Sequence, residues 1–87
     1  MRLQFFRIEP GNDPVMFIAA RNEPHCAEIF VTWDTASGRP HQEFSTERFY
    51  RQLPPDMRIG LDDMLNAGIW GIADYDPLFG WHVRPPE

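Results

Sequence analysis

Apolar positions fall in short blocks separated by turn-forming residues. Leu3 to Ile8 (LQFFRI) reads as a first strand, closed by Glu9-Pro10-Gly11-Asn12-Asp13-Pro14. Val15 to Ala20 (VMFIAA) is a continuous apolar run of strand length, consistent with a central strand. Arg21-Asn22-Glu23-Pro24 interrupts it. Ala27 to Asp34 (AEIFVTWD) alternates, with Ile29, Val31 and Trp33 on one side and Glu28, Phe30 and Thr32 on the other. A period of two predicts a third strand there. Three strands with short polar connections form an antiparallel meander. Asp34 to Pro40 is a loop by composition.

The period then changes. Ser45 has the chemistry of a helix N-cap, and Phe44 and Phe49 stand at the two staple positions around it. Glu47 complements a positive helix start. Phe49 and Leu53 share a face, and Pro54-Pro55 ends this helix. A second helix is predicted from Pro55-Asp56. Met57, Leu61, Met64, Leu65 and Gly68 fall on one stripe of period 3.6. Gly60 weakens that helix by about 1 kcal/mol relative to alanine. Gly68 is a left-handed stop, with Ile69 clasping Met64 behind it. Ile69 to Ala73 and Phe79 to Val83 read as a fourth and a fifth strand around the turn Asp74-Tyr75-Asp76-Pro77.

The predicted order is β-β-β-α-α-β-β. It implies a small α+β domain over 1–87, an antiparallel sheet with two helices packed on one face, and residues 84–87 as a flexible tail. A length of 87 residues fits one domain, and 43% apolar residues is too many for a disordered chain. No apolar run reaches the roughly 18 to 20 residues of a membrane helix. The apolar stretch after Met1-Arg2 is too short for a secretory signal. One cysteine makes no internal disulfide, which points to a reducing cytoplasm.

Charge narrows the partners. Thirteen acids against eight arginines leave −5. A binder of nucleic-acid backbones draws its affinity from cations on phosphates, and here the balance is reversed. Four of the five excess negative charges fall in residues 55–87. A negative domain is also repelled by anionic membranes. The chain has no lysine, a bias that GC-rich codons explain. Its cations are permanently charged planar forks, and lysine-based catalysis is excluded.

No catalytic or metal-binding constellation stands out. Cys26 needs a base, and neighbouring His25 points to the opposite face of a strand. His25, Cys26, His41 and His82 lack the short spacings that pre-form a zinc site. Asp74-x-Asp76 fails the Ca²⁺-loop pattern, because Phe79 and Pro85 occupy the positions that need Gly and Glu. Asp62 and Asp63 fall in the later half of the second predicted helix, an unfavourable end for acids, with Arg58 placed to offset Asp62. Phosphate loops and the serine-hydrolase elbow are absent.

The leading expectation is a small acidic non-enzymatic protein that acts by protein–protein interaction. It would be an accessory protein or inhibitor, antagonising in one version a nucleic-acid-binding partner through an acidic face. The contact residues expected are Asp62, Asp63, Asp74 and Asp76, with Trp70, Tyr75 and Trp81 as anchors and a basic partner surface opposite. No cofactor is implied. An unpaired edge strand bearing aromatics favours a homodimer. The alternative is a small enzyme or a ligand- or metal-binding protein, with His82, Asp76, His41 and Cys26 in a pocket between sheet and helices. Direct nucleic-acid binding would use Arg7, Arg48, Arg51 and Arg58.

Overall fold

A computed structural model describes residues 2–38 and 42–86. β1 (Gln4–Pro10) and β2 (Met16–Ala20) pair antiparallel, with Phe5 opposite Ala19 and Phe6 opposite Ile18. β3 (Phe44–Arg48) lies along the other side of β1. β4 (Gly71–Asp76) pairs with β2, and β5 (Gly80–Arg84) pairs with β4. Among the described residues these strands form one antiparallel sheet in the order β3-β1-β2-β4-β5. With its helices the chain is a compact α+β domain, of radius of gyration 12.5 Å.

Successive strand residues point to opposite faces, and here both faces are buried at the centre. On one face Phe6, Ile8, Ile18 and Ile72 are all but inaccessible under α1 (Glu23–Ala36), which contributes Cys26, Ile29 and Phe30. On the other face Leu3, Phe5, Ala19, Ala73 and Trp81 pack with Leu53, Leu61 and Leu65. The last two belong to α3 (Leu61–Ala67), which follows the single-turn α2 (Pro55–Arg58). Each large apolar side chain buried this way stabilises the fold by about 1.5–3 kcal/mol.

The α+β class and the antiparallel sheet are as the pattern implies, and two predicted elements differ. The stretch 27–34 is the middle of α1, not a strand. Cys26, Ile29, Phe30 and Trp33 lie at i, i+3, i+4 and i+7, a helical stripe that coexists with the alternation. Local chemistry decides between the two periods. The extended Asn22 caps the helix, its side-chain oxygen accepting from the His25 amide at 2.9 Å. Pro24 sits in the first turn, where a proline lacks nothing the helix needs. The apparent breaker 21–24 is thus a helix start. Val31, placed on one side with Ile29 and Trp33 by the alternation, is 39% exposed while Ile29 is buried.

Conversely, 44–48 is strand β3, and Ser45 is an exposed strand residue rather than a cap. Phe44 turns toward α1 and packs on Phe30 with ring centroids 4.3 Å apart. The element order is therefore β-β-α-β-α-α-β-β, and the helices take opposite faces of the sheet instead of one. The second predicted helix is divided at Ile59-Gly60, where Ile59 is extended and Gly60 has φ +84°. Its end is as expected: Gly68 is left-handed, and the amides of Gly68 and Ile69 reach the carbonyls of Leu65 and Met64. Strand β4 runs through Asp76, so the turn begins at Pro77, three residues later than its composition implies. At the C-terminal end Arg84 closes β5, Pro86 is half-buried, and Glu87 lies outside the described residues.

Gly71 opens β4 at φ +148°, and a Cβ there would press into the Arg84 carbonyl oxygen and lie 3.0 Å from Val83 Cγ1. Gly71→Ala should therefore lower unfolding stability by about 2–3 kcal/mol in urea titrations. Gly38→Ala has open space at φ +69° and should cost about 1 kcal/mol. Equal losses at the two positions would refute the close approach of β5 to Gly71.

Candidate functional site

The β4–β5 turn presents two adjacent, strongly exposed apolar side chains. Leu78 is 86% and Phe79 76% exposed. They are held out by the turn itself. Asp76 pairs with Gly80 across the hairpin, and its Oδ1 accepts the amides of Leu78 at 2.8 Å and Phe79 at 3.3 Å. Pro77 fixes one backbone angle, and Gly80 takes φ +82°, a geometry that favours glycine. Behind the tip, Tyr75 packs edge-on against Trp81 with centroids 5.1 Å apart. The Trp81 indole N–H donates to the Met57 carbonyl, which seats α2 at this end of the sheet. Ile59, 77% exposed, follows immediately after α2.

A second feature lies on the opposite side of the hairpin. α1 covers β1, β2, β3 and the start of β4 at Ile72, but leaves the rest of that face of β4 and β5 open, where Asp74, His82 and Arg84 are exposed. A groove of about 480 Å³ runs where α1 ends its coverage. His25, Glu28, Ile29 and Thr32 of α1 form one wall; Trp70, Pro85 and Pro86 form the other. The His25 and Trp70 rings meet edge to face, with centroids 5.0 Å apart. His25 Nδ1 accepts from the Arg21 amide at 3.0 Å, so Nε2 carries the proton of the neutral ring.

The expected contact residues are dispersed. Asp62 accepts from the Tyr50 hydroxyl and from Arg2 at 2.7 Å, tying α3 to the start of the chain. With the helix divided, Asp62 and Asp63 occupy the first turn of α3, where negative charge is favoured, rather than the later half of a longer helix. Arg2 is the ion-pair partner of Asp62, and the charge of Arg58 also favours its carboxylate. Asp74 pairs with Arg84 at 2.9 Å on the open face, and Asp76 holds the turn. Trp81 is 7% exposed, in the core with Phe5 and Phe17. Trp70, 48% exposed, and Tyr75, 38% exposed, remain at the surface on different faces. Leu78 and Phe79 were legible in principle, since two large apolar residues between an Asp-Pro pair and a glycine have no interior to enter.

The residues of the enzyme alternative are not gathered in one pocket. Cys26 lies under α1 with no exposed surface, whereas His82 stands on open β5, and His41 lies outside the described residues. Among the described residues no three His, Cys, Asp or Glu side chains converge as metal ligands. The arginines considered for nucleic acid are partly engaged. Arg7 pairs with Glu9 and Glu47, and Arg58 lies over the Tyr50 ring and donates to the Leu53 carbonyl. Arg48 and Arg51 are exposed beside Tyr50. No described helix is long and apolar enough to cross a membrane.

Two titrating groups make the fold acid-sensitive. The Tyr50 hydroxyl and the Arg2 guanidinium hold the Asp62 carboxyl below the ordinary 3.8. Its contribution is complete above that unfolded value and is lost as pH falls through the lower folded one. Burial, then the charge of Arg21, lowers His25 from the ordinary 6.5. The neutral ring is the folded form, so its contribution is present above about 6.5 and declines as pH falls below it. Urea titrations should show Asp62→Asn less stable by about 0.5–1 kcal/mol at neutral pH. That difference should shrink as pH falls below 3.8, and a gap unchanged by acid would refute the pairing. Burial pushes the Cys26 thiol up to about 12. A disulfide reagent at neutral pH should label the folded protein only as it opens, and rapid full labelling would contradict the burial.

No protein-family model, curated protein or solved structure matches the chain.

Proposed function

We propose that this chain works by binding another protein, with the β4–β5 turn as the leading contact. The observation that carries the reading is the pair Leu78 and Phe79, exposed at a turn whose conformation Asp76 fixes from inside the chain. Side chains pre-set in this way lose little freedom on docking, which favours affinity. Large apolar groups that enter a partner pocket carry most of the energy of an interface. Tyr75 and Ile59 extend the apolar surface at this end of the molecule.

The partner is expected to offer an apolar cleft with a basic rim. The −5 net charge favours encounter with such a surface and disfavours nucleic acid. The four aspartates of the sequence reading do not make one acidic patch. Their part in binding is through this overall field, while Asp62, Asp74 and Asp76 have structural partners of their own.

Leu78→Ser together with Phe79→Ser tests the reading. Both side chains are outside the core, so the melting temperature should stay close to that of the parent. Affinity for a protein captured by the parent chain should fall by at least roughly tenfold in calorimetric titration. If the captured protein is a second copy, sedimentation should show a dimer that the double variant dissociates. Unchanged affinity in a variant that still folds would overturn the assignment of the tip.

A further inference from the structure

We infer that the groove beside α1 receives an arginine side chain from an extended segment of a partner. This goes beyond the tip contact and stands on a separate surface. Among the described residues that line the groove, Glu28 supplies the only formal charge, a carboxylate on an exposed residue of α1. The Thr32 hydroxyl donates to the Glu28 carbonyl at 2.9 Å, so its oxygen remains an acceptor. Both groups suit a ligand that only donates. The His25 ring adds no charge at neutral pH, because burial and Arg21 outweigh the opposite pull of Glu28, and the Arg21 guanidinium meets Nδ1 at 3.4 Å outside the groove lining.

The remaining walls select among cations. Trp70 offers half of an indole, and Pro85 and Pro86 offer flat aliphatic rings. A guanidinium is planar and weakly hydrated, and it stacks on such surfaces while its edge pairs with a carboxylate. A compact ammonium is more strongly hydrated and gains less there. The His25 ring, edge-on to Trp70, braces the indole from the helix side. A second depression, lined by Val31, Thr32, Thr35 and Ala36, meets the groove at Thr32 and follows α1 onward. It gives room for the residues that flank an arginine in a peptide, which is why a peptide segment is assigned and not a free small cation.

The test is a titration of the full chain with acetyl-Gly-Arg-Gly-amide, read by the Trp70 indole N–H signal in heteronuclear NMR. Trp70→Phe identifies that signal. One cation–π contact and one exposed ion pair correspond to a dissociation constant of about ten millimolar at best for so short a peptide. Glu28→Gln, which preserves helix propensity, should weaken binding about two- to fivefold. The citrulline peptide, of nearly the same shape without the charge, should weaken it as much. Equal binding of the citrulline peptide, or no loss in Glu28→Gln, would overturn the charge pairing. Equal binding of the lysine peptide would overturn the guanidinium assignment, and equal binding of guanidinium chloride would overturn the peptide assignment. No saturable shift at ten times the expected constant would overturn the site, and none of these results bears on Leu78 and Phe79.

Discussion

The middle of this sheet is apolar on both faces, and that constraint shapes everything around it. Phe5 and Phe6 are neighbours in β1, so their rings lie on opposite sides, and Ile18 and Ala19 in β2 do the same. A sheet of this kind needs cover twice. In 87 residues there is little chain with which to provide it. One face takes the 14-residue α1. The other takes two short helices and the segment from Phe49 to Leu53. Neither layer extends over the whole of β4–β5, and the groove and the projecting turn lie where the cover ends.

This two-sided demand also explains what could be read from sequence. Strands β1 and β2 were legible because Phe5-Phe6 and the VMFIAA run have few other uses. The Gly68 stop was legible because glycine, register and the following Ile69 agree on one local geometry. Residues 27–34 were not, since Ile29, Val31 and Trp33 satisfy a period of two while Ile29, Phe30 and Trp33 satisfy a period of 3.6. The deciding information lay upstream, in Asn22 as a cap and Pro24 in a first turn. Ser45 shows the converse error. Its capping chemistry is genuine, but Phe44 has a better place against Phe30 and β3 pairs along β1, so tertiary packing overrides a local preference.

The candidate surface was less legible than the fold, for an electrostatic reason. Charge counts reveal the excess of acids but not which of them face each other. Asp62, Asp74 and Asp76 look like one acidic third of the chain in sequence. In space each is used locally: against Arg2 and Tyr50, against Arg84, and inside a turn. Trp81 was an anchor by residue type, but its indole N–H finds the Met57 carbonyl in the core, which removes the polar cost of burying it. Glu28 and His25, by contrast, drew no attention as a binding pair, because their relation to Trp70 and Pro85 arises only once α1 lies across the sheet.

Placing Leu78 and Phe79 at a hairpin tip has a consequence for how the molecule tolerates exposed apolar groups. An apolar patch on a flat sheet edge invites strand pairing with other chains. At a tight turn the same two side chains stand apart from the edge, and Pro77 next to them offers no amide to a foreign strand. The turn therefore exposes apolar surface in a form that suits a pocket better than another strand. The Asp76 carboxylate makes that form rigid by accepting the two amides that would otherwise point into solvent. Removing that carboxylate would leave Leu78 and Phe79 in place as residues but free the backbone that aims them. Residue identity and turn geometry are thus separable contributions to the same surface.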